Sequence, residues 1–183
     1  MAELRAQCQI PDDLTDQDAL LSSIGDAVVD EFEMYANRAV LTQSWTVSVD
    51  DWFTELWLPM AGTLQSITSV KYYAADGTLT TLASSYYLAD TFSEPGRVLR
   101  APNMTWPALQ SDRLGRVQVE YVTGWTSAAL VPAKVKQGML LLASHWFTER
   151  QAVNVGNITG VMPFGVESCW APYRVWIRPM VCA

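Results

Sequence analysis

The apolar residues of this chain change period twice, and that double switch limits the folds open to it. Leu21, Ile24, Val28, Phe32 and Tyr35 recur at three- and four-residue steps, one face of a helix. Asp26, Asp30 and Glu33 fall on the other side. The spacing predicts a helix over residues 15–37, with Thr15 three residues ahead of Asp18 as a loose capping box. Gly25 inside it costs ~1 kcal/mol against Ala and points to a close helix contact. The period then becomes two. WTVSV (45–49), FTELWL (53–58), ITSVKYY (67–73), TLTTL (78–82) and VQVEYV (117–122) have strand chemistry, with weaker candidates at Tyr86–Leu88 and RVLR (97–100). Asp76-Gly77 between two of these runs predicts a hairpin. Helical spacing returns after Pro132, a residue suited to a first helical turn. Val135, Met139, Leu142 and Trp146 form its stripe, and the helix is expected to reach about Gln151. NVGNITGVMPFG (154–165) reads as a loop, and residues 166–173 as a short helix.

The predicted class is therefore α+β: a helical bundle on two long helices, an inserted small β-sandwich or barrel-like module, and an extended C-terminal tail. The boundaries read 1–43 and 125–170 for the helical parts, 44–124 for the β-rich module and 171–183 for the tail. A chain of 183 residues with half its residues apolar can bury a core without disulfides or metals. Cys8, Cys169 and Cys182 have no metal-type spacing and read as reduced thiols of a cytoplasmic product. The first residues lack the apolar run of a signal peptide, and no segment has the length of a membrane span.

Catalytic signals are poor. His145 is the only histidine and lies among Leu142, Trp146 and Phe147, so a packed or half-buried imidazole is expected, with Glu149 one turn on as an ordinary helix pair. Asp50 and Asp51 with Glu55 suggest paired carboxylates, but a turn between strands explains the pair more simply. Gly156, Gly160 and Gly165 lack the GK[ST] ending of a phosphate loop. No catalytic residue, metal ligand or cofactor is assigned.

The charge is informative. Residues 1–60 carry twelve acids against Arg5 and Arg38; residues 61–183 carry seven acids against ten bases. Two unlike faces suit head-to-tail contact between copies. Candidates for the acidic face are Asp12, Asp13, Asp16, Asp26, Asp30 and Glu33. Candidates for the basic one are Arg97, Arg100, Arg113 and Arg116, which lie near Trp106 and Trp125. Arginines among aromatics also suit a nucleic-acid strand, yet no RNA-recognition motif accompanies them. Eight tryptophans exceed the needs of one small core and supply interface anchors. Alternatively, Trp45, Trp52, Trp57 and Trp106 could stack on sugars, which would make this a carbohydrate- or host-binding β-module protein. The tail APYRVWIRPMVCA is apolar and cationic. It either packs on its own domain or docks on another chain, with Trp176 and Ile177 as anchors and Arg174 and Arg178 reaching carboxylates.

The ordered set of segments resembles the head–tail connector (adaptor) proteins of tailed bacteriophages, in the longer branch with a β-rich insertion. The carrying segments are DDLTDQDALLSSIGDAVVDEFEMYANRAVLTQSW, LWLP with SVKYYAADGTLTTL, VEYVTGW, VPAKVKQGMLLLASHWFTER and MPFGVESCWAPYRVW. LPMAGTL (58–64) and the last residues IRPMVCA depart from the family pattern. The resemblance implies a non-enzymatic virion protein of the neck at the portal vertex, assembled in the host bacterial cytoplasm. It implies a homo-oligomeric ring, typically dodecameric, beneath the portal protein, with DNA passing non-specifically through its lumen. Below the ring would sit a stopper, head-closure or tail-terminator protein. Tyr173, Arg174, Val175, Trp176, Ile177, Arg178, Pro179 and Met180 are the expected portal contacts. The acidic residues would face the lumen, where lysines or arginines would hold phosphates, or a neighbouring subunit.

Overall fold

The computed structural model describes residues 2–11, 13–149, 164–176 and 181–182. Expectations placed on Asp12, on the loop glycines Gly156 and Gly160, and on Ile177, Arg178, Pro179 and Met180 lie outside these residues. The described fold is α+β, with four α-helices and two antiparallel sheets. It divides into two units, residues 1–36 with 129–174, and residues 37–128 with 175–183.

The first unit is helical. Helix α1 spans Ala2–Gln7, α2 Asp18–Ala36, α3 Ala133–Thr148 and α4 Phe164–Trp170. The period predicted the long helices because it follows the burial: α2 buries Leu21, Val28, Phe32 and Ala36, with Ile24 and Tyr35 half-buried, and α3 buries Val135, Gly138, Leu142 and Ala143, with Met139 and Trp146 of the expected stripe half-buried. Each such large apolar side chain contributes roughly 1.5–3 kcal/mol. The two helices pack on each other, and Trp170 of α4 fills the junction, fully buried. Its ring meets Phe32 edge-on at 5.3 Å, and its Nε1 donates to the Val135 carbonyl at 3.2 Å. Gly138 passes so close to the indole that a Cβ there would lie 2.3 Å from Nε1. The contact at Gly25 is looser: a Cβ would sit 3.7 Å from Leu4 of α1.

Two local expectations change. The Asp18 carboxylate does not close a capping box with Thr15, because α2 starts at Asp18 itself and that carboxylate accepts from Arg5. Arg5 is buried and also donates to the carbonyls of Pro11 and Leu14, at 2.7 and 2.5 Å, so one guanidinium closes the α1–α2 turn. His145 is exposed rather than packed or half-buried: it follows Leu142 on the same stripe but lies in the last turn of α3, beyond Ala143, the last buried residue of that helix.

The second unit holds both sheets. Strands β1 (Gln43–Val49), β7 (Val117–Thr123), β3 (Leu64–Tyr73) and β4 (Leu79–Thr81) form one, in that order. Strands β5 (Tyr87–Asp90), β6 (Arg97–Arg100), β2 (Phe53–Trp57) and β8 (Val181–Cys182) form the other. One core serves both: Phe53, Leu56 and Val98 from the second sheet cluster with Val70, Val117, Val119 and Tyr121 from the first. The alternation in β7 does this directly, with positions 117, 119, 121 and 123 buried and 118, 120 and 122 half-buried. The Asp76-Gly77 hairpin joins β3 to β4: Gly77 takes φ 84°, and the Asp76 carboxylate accepts from the Thr78 N–H at 3.0 Å. Asp50 and Asp51 occupy the bend between β1 and β2, as their spacing suggested. Burial holds the Tyr121 phenol well above its usual pKa, so a neutral hydroxyl donates to the Pro59 carbonyl at 2.6 Å.

Candidate functional surfaces

On α2, Asp26 and Asp30 are exposed and Glu33 is half-buried, at one- and two-turn spacing on a single stripe. Asp13 and Asp16 are exposed in the turn before the helix. Asp26, Asp30 and Glu33 therefore share one stripe of α2 in the helical unit. Sequence reasoning reached this stripe because helical period alone decides it.

The basic candidates do not gather in one place. Arg97 and Arg100 lie on β6, whereas Arg113 and Arg116 precede β7 in the other sheet. Arg97 bonds Glu55 and, at 2.7 Å through Nε, Asp90, and its guanidinium lies 4.9 Å from the Trp57 ring centre. Arg113 caps the Tyr73 ring at 3.6 Å. Arg116 donates to the carbonyls of Asp50 and, at 3.1 Å, Gln110. Arg100 is exposed at the end of its strand. Three of the four thus serve their own unit. The missing signal was the cross-strand pairing Asp90↔Arg97 and Trp57↔Arg97, which no local spacing encodes.

Asp90 organises a feature that the sequence reading missed. Its carboxylate accepts from the N–H groups of Phe92 and Ser93, both at 3.1 Å, and from Ser93 Oγ and Arg97 Nε, both at 2.7 Å. The Ser93 hydroxyl, followed by Arg97, holds this carboxyl well below the usual carboxylate range. The turn so fixed presents Phe92 at 97% exposure.

The tryptophans divide by location. Trp52 is buried and stacks on Trp106 with ring centres 4.4 Å apart; their Nε1 atoms donate to the Pro107 and Phe53 carbonyls at 2.7 and 3.0 Å. Trp52 belongs to the core cluster and half-buried Trp106 packs against it, so their stacked faces are turned to each other rather than to a sugar. Trp170 is also core, whereas Trp176 is 70% exposed. Of the tail, Tyr173 closes a 3-10 turn and Arg174 lies 5.3 Å from the Tyr35 ring centre. Val175 is buried, with its carbonyl 3.5 Å from Asn37 Nδ2. Val181–Cys182 adds to β2 opposite Phe53 and Glu55.

Among the described residues, no group of three or more acidic, histidine or cysteine side chains could hold a metal ion, and no helix is long and apolar enough to cross a membrane. The architecture is that of an α+β protein with two antiparallel sheets.

No family profile matches this chain, and no curated protein matches it. Solved structures do. A chain in the neck of the empty GTA particle computed with C6 symmetry aligns with a TM-score of 0.77 at 21% identity, covering 97% of this chain and 90% of that one. A chain in the virion of the native gene transfer agent (GTA) particle aligns with a TM-score of 0.75 at 22% identity, with the same coverage of 97% and 90%. The neck of the native GTA particle computed with C12 symmetry gives 0.69 at 21% identity, covering 88% and 85%. The chain therefore shares its fold with chains in structures of gene transfer agent necks and of the gene transfer agent virion, consistent with the head–tail connector family that its segments resemble.

Proposed function

We propose that this chain is a structural neck protein with no catalytic role, a head–tail connector (adaptor) that forms a ring beneath the portal, extends the DNA channel and joins the capsid to the tail machinery. The observation that carries this reading is the likeness to neck structures over 97% of the chain. The C6 and C12 symmetry of those necks supports a homo-oligomeric ring, for which twelve copies is our proposal. The residues from Tyr173 to Met180 are the proposed portal contact, with Trp176 as its exposed anchor. The acidic stripe of Asp26, Asp30 and Glu33, with Asp12, Asp13 and Asp16, is the proposed lumen or subunit face. Carboxylates there would let phosphates slide past without the retention that basic residues impose. Arg100 is the basic candidate best placed to meet a neighbour, because Arg97, Arg113 and Arg116 are engaged within their own unit.

The direct test mixes the purified chain with portal rings and reads the product by native mass spectrometry and electron microscopy. A closed ring of this chain stacked on the portal is the expected result. A chain that stays monomeric and never joins a portal would sink the reading.

A further inference from the structure

We propose that neighbouring copies join edge to edge through the first sheet, with β1 of one copy pairing antiparallel to β4 of the next. The inference deepens the ring reading and rests on it. Among the described residues, strand β1 ends its sheet and pairs with β7 alone. All seven of its residues pair in one unshifted register, so no bulge twists the edge away. QSWTVSV carries no charge and no proline. Protected edges use charges, prolines, bulges or very short strands, and β1 has none of these. The other end strands are short: three residues in β4, four in β5 and two in β8.

The partner edge follows from topology. Each pair in the order β1-β7-β3-β4 is antiparallel, so β4 runs opposite to β1. A neighbour in a many-membered ring is related by a small rotation, which nearly preserves strand direction. Its β4 therefore meets β1 antiparallel, and the order β1-β7-β3-β4 continues into the next copy. The twist between paired strands, roughly 20–25°, accommodates a curved junction. These are two unlike edges of one surface, as a head-to-tail ring requires. The side chains agree. Leu79–Thr81 is uncharged like β1, and Leu79 is half-exposed. Thr46 and Ser48 on β1, and Leu79 and Thr81 on β4, are all exposed and stand on the face away from the core, ready for cross-strand contact. An overlap of three residues is short, so the pairing is weak between free copies and becomes stable only when the ring closes.

The test uses the full chain assembled on portal rings. The double variant Thr46→Cys/Leu79→Cys should give a ladder of covalent multimers under mild oxidation, and neither single variant should. Thr46→Lys/Ser48→Lys restores charge to the edge. It should fold with unchanged circular dichroism yet occupy portals at least about tenfold less, a change of about 1.4 kcal/mol in apparent affinity. Rings that form normally with these lysines, or that give no ladder with the double cysteine variant, overturn the edge pairing and leave the ring standing. A ladder that the single variants also give overturns it as well. Wild-type chain that forms no ring defeats both readings.

Discussion

Gly138→Ala tests the packing of the helical unit with an unusual sign. In a helix interior, alanine is favoured over glycine by about 1 kcal/mol, so propensity alone predicts a more stable protein. The structure predicts the reverse. The added Cβ would lie 2.3 Å from Trp170 Nε1 and 2.7 Å from Cδ1. The indole has no room to retreat: it is fully buried, with Phe32 at 5.3 Å and Tyr35 at 6.0 Å. Overpacking of this kind costs about 1–3 kcal/mol. Moving the ring also breaks the Nε1 bond to the Val135 carbonyl, leaving a buried donor unmet at a further ~1–3 kcal/mol. After the propensity gain, the net loss is about 3 kcal/mol. For a chain of this size that is a drop of roughly 6–12 °C in Tm. Thermal unfolding followed by near-UV circular dichroism reads it, because the packed aromatic rings, Trp170 among them, give the signal. Gly165→Ala is the control, since nothing lies within 4 Å of a Cβ there. Equal or higher stability for Gly138→Ala would refute the close-packing argument.

Two further outcomes are expected. Asp90 has a depressed folded pKa, so its contribution is present above the unfolded carboxylate value of about 3.9 and is lost as pH falls below it toward the folded value. Asp90→Asn should therefore be less stable than wild type in urea at neutral pH, and the gap should narrow in acid; a gap independent of pH would contradict the charge-based account. Trp176→Ser changes a ring that is 70% exposed, so unfolding should shift by less than about 0.5 kcal/mol while portal capture falls sharply. Unchanged capture would remove Trp176 as an anchor.

The elements whose cause is local were legible in the sequence. The 3.6-residue period gave α2 and α3, Pro132 marked the start of α3, Asp76-Gly77 gave the β3–β4 hairpin, and the alternation of β7 gave its buried face. The acidic stripe of α2 follows from the same period, because one helix decides which residues share a face. What the sequence left open depends on partners distant along the chain. Nothing local places β7 between β1 and β3, or selects Arg97 as the residue that Glu55 and Asp90 share. Composition marked the tryptophans as surplus, yet only packing buries Trp52 and Trp170, lays half-buried Trp106 against the core and leaves Trp176 exposed. The tail shows the division within a few residues: its apolar character is written in the sequence, while tertiary structure buries Val175, exposes Trp176 and gives Val181–Cys182 to β2. The physical reason is range. A helix face or a tight turn is fixed by residues within a few positions of each other, whereas a sheet edge or a buried ring is fixed by whichever distant segment comes to lie against it.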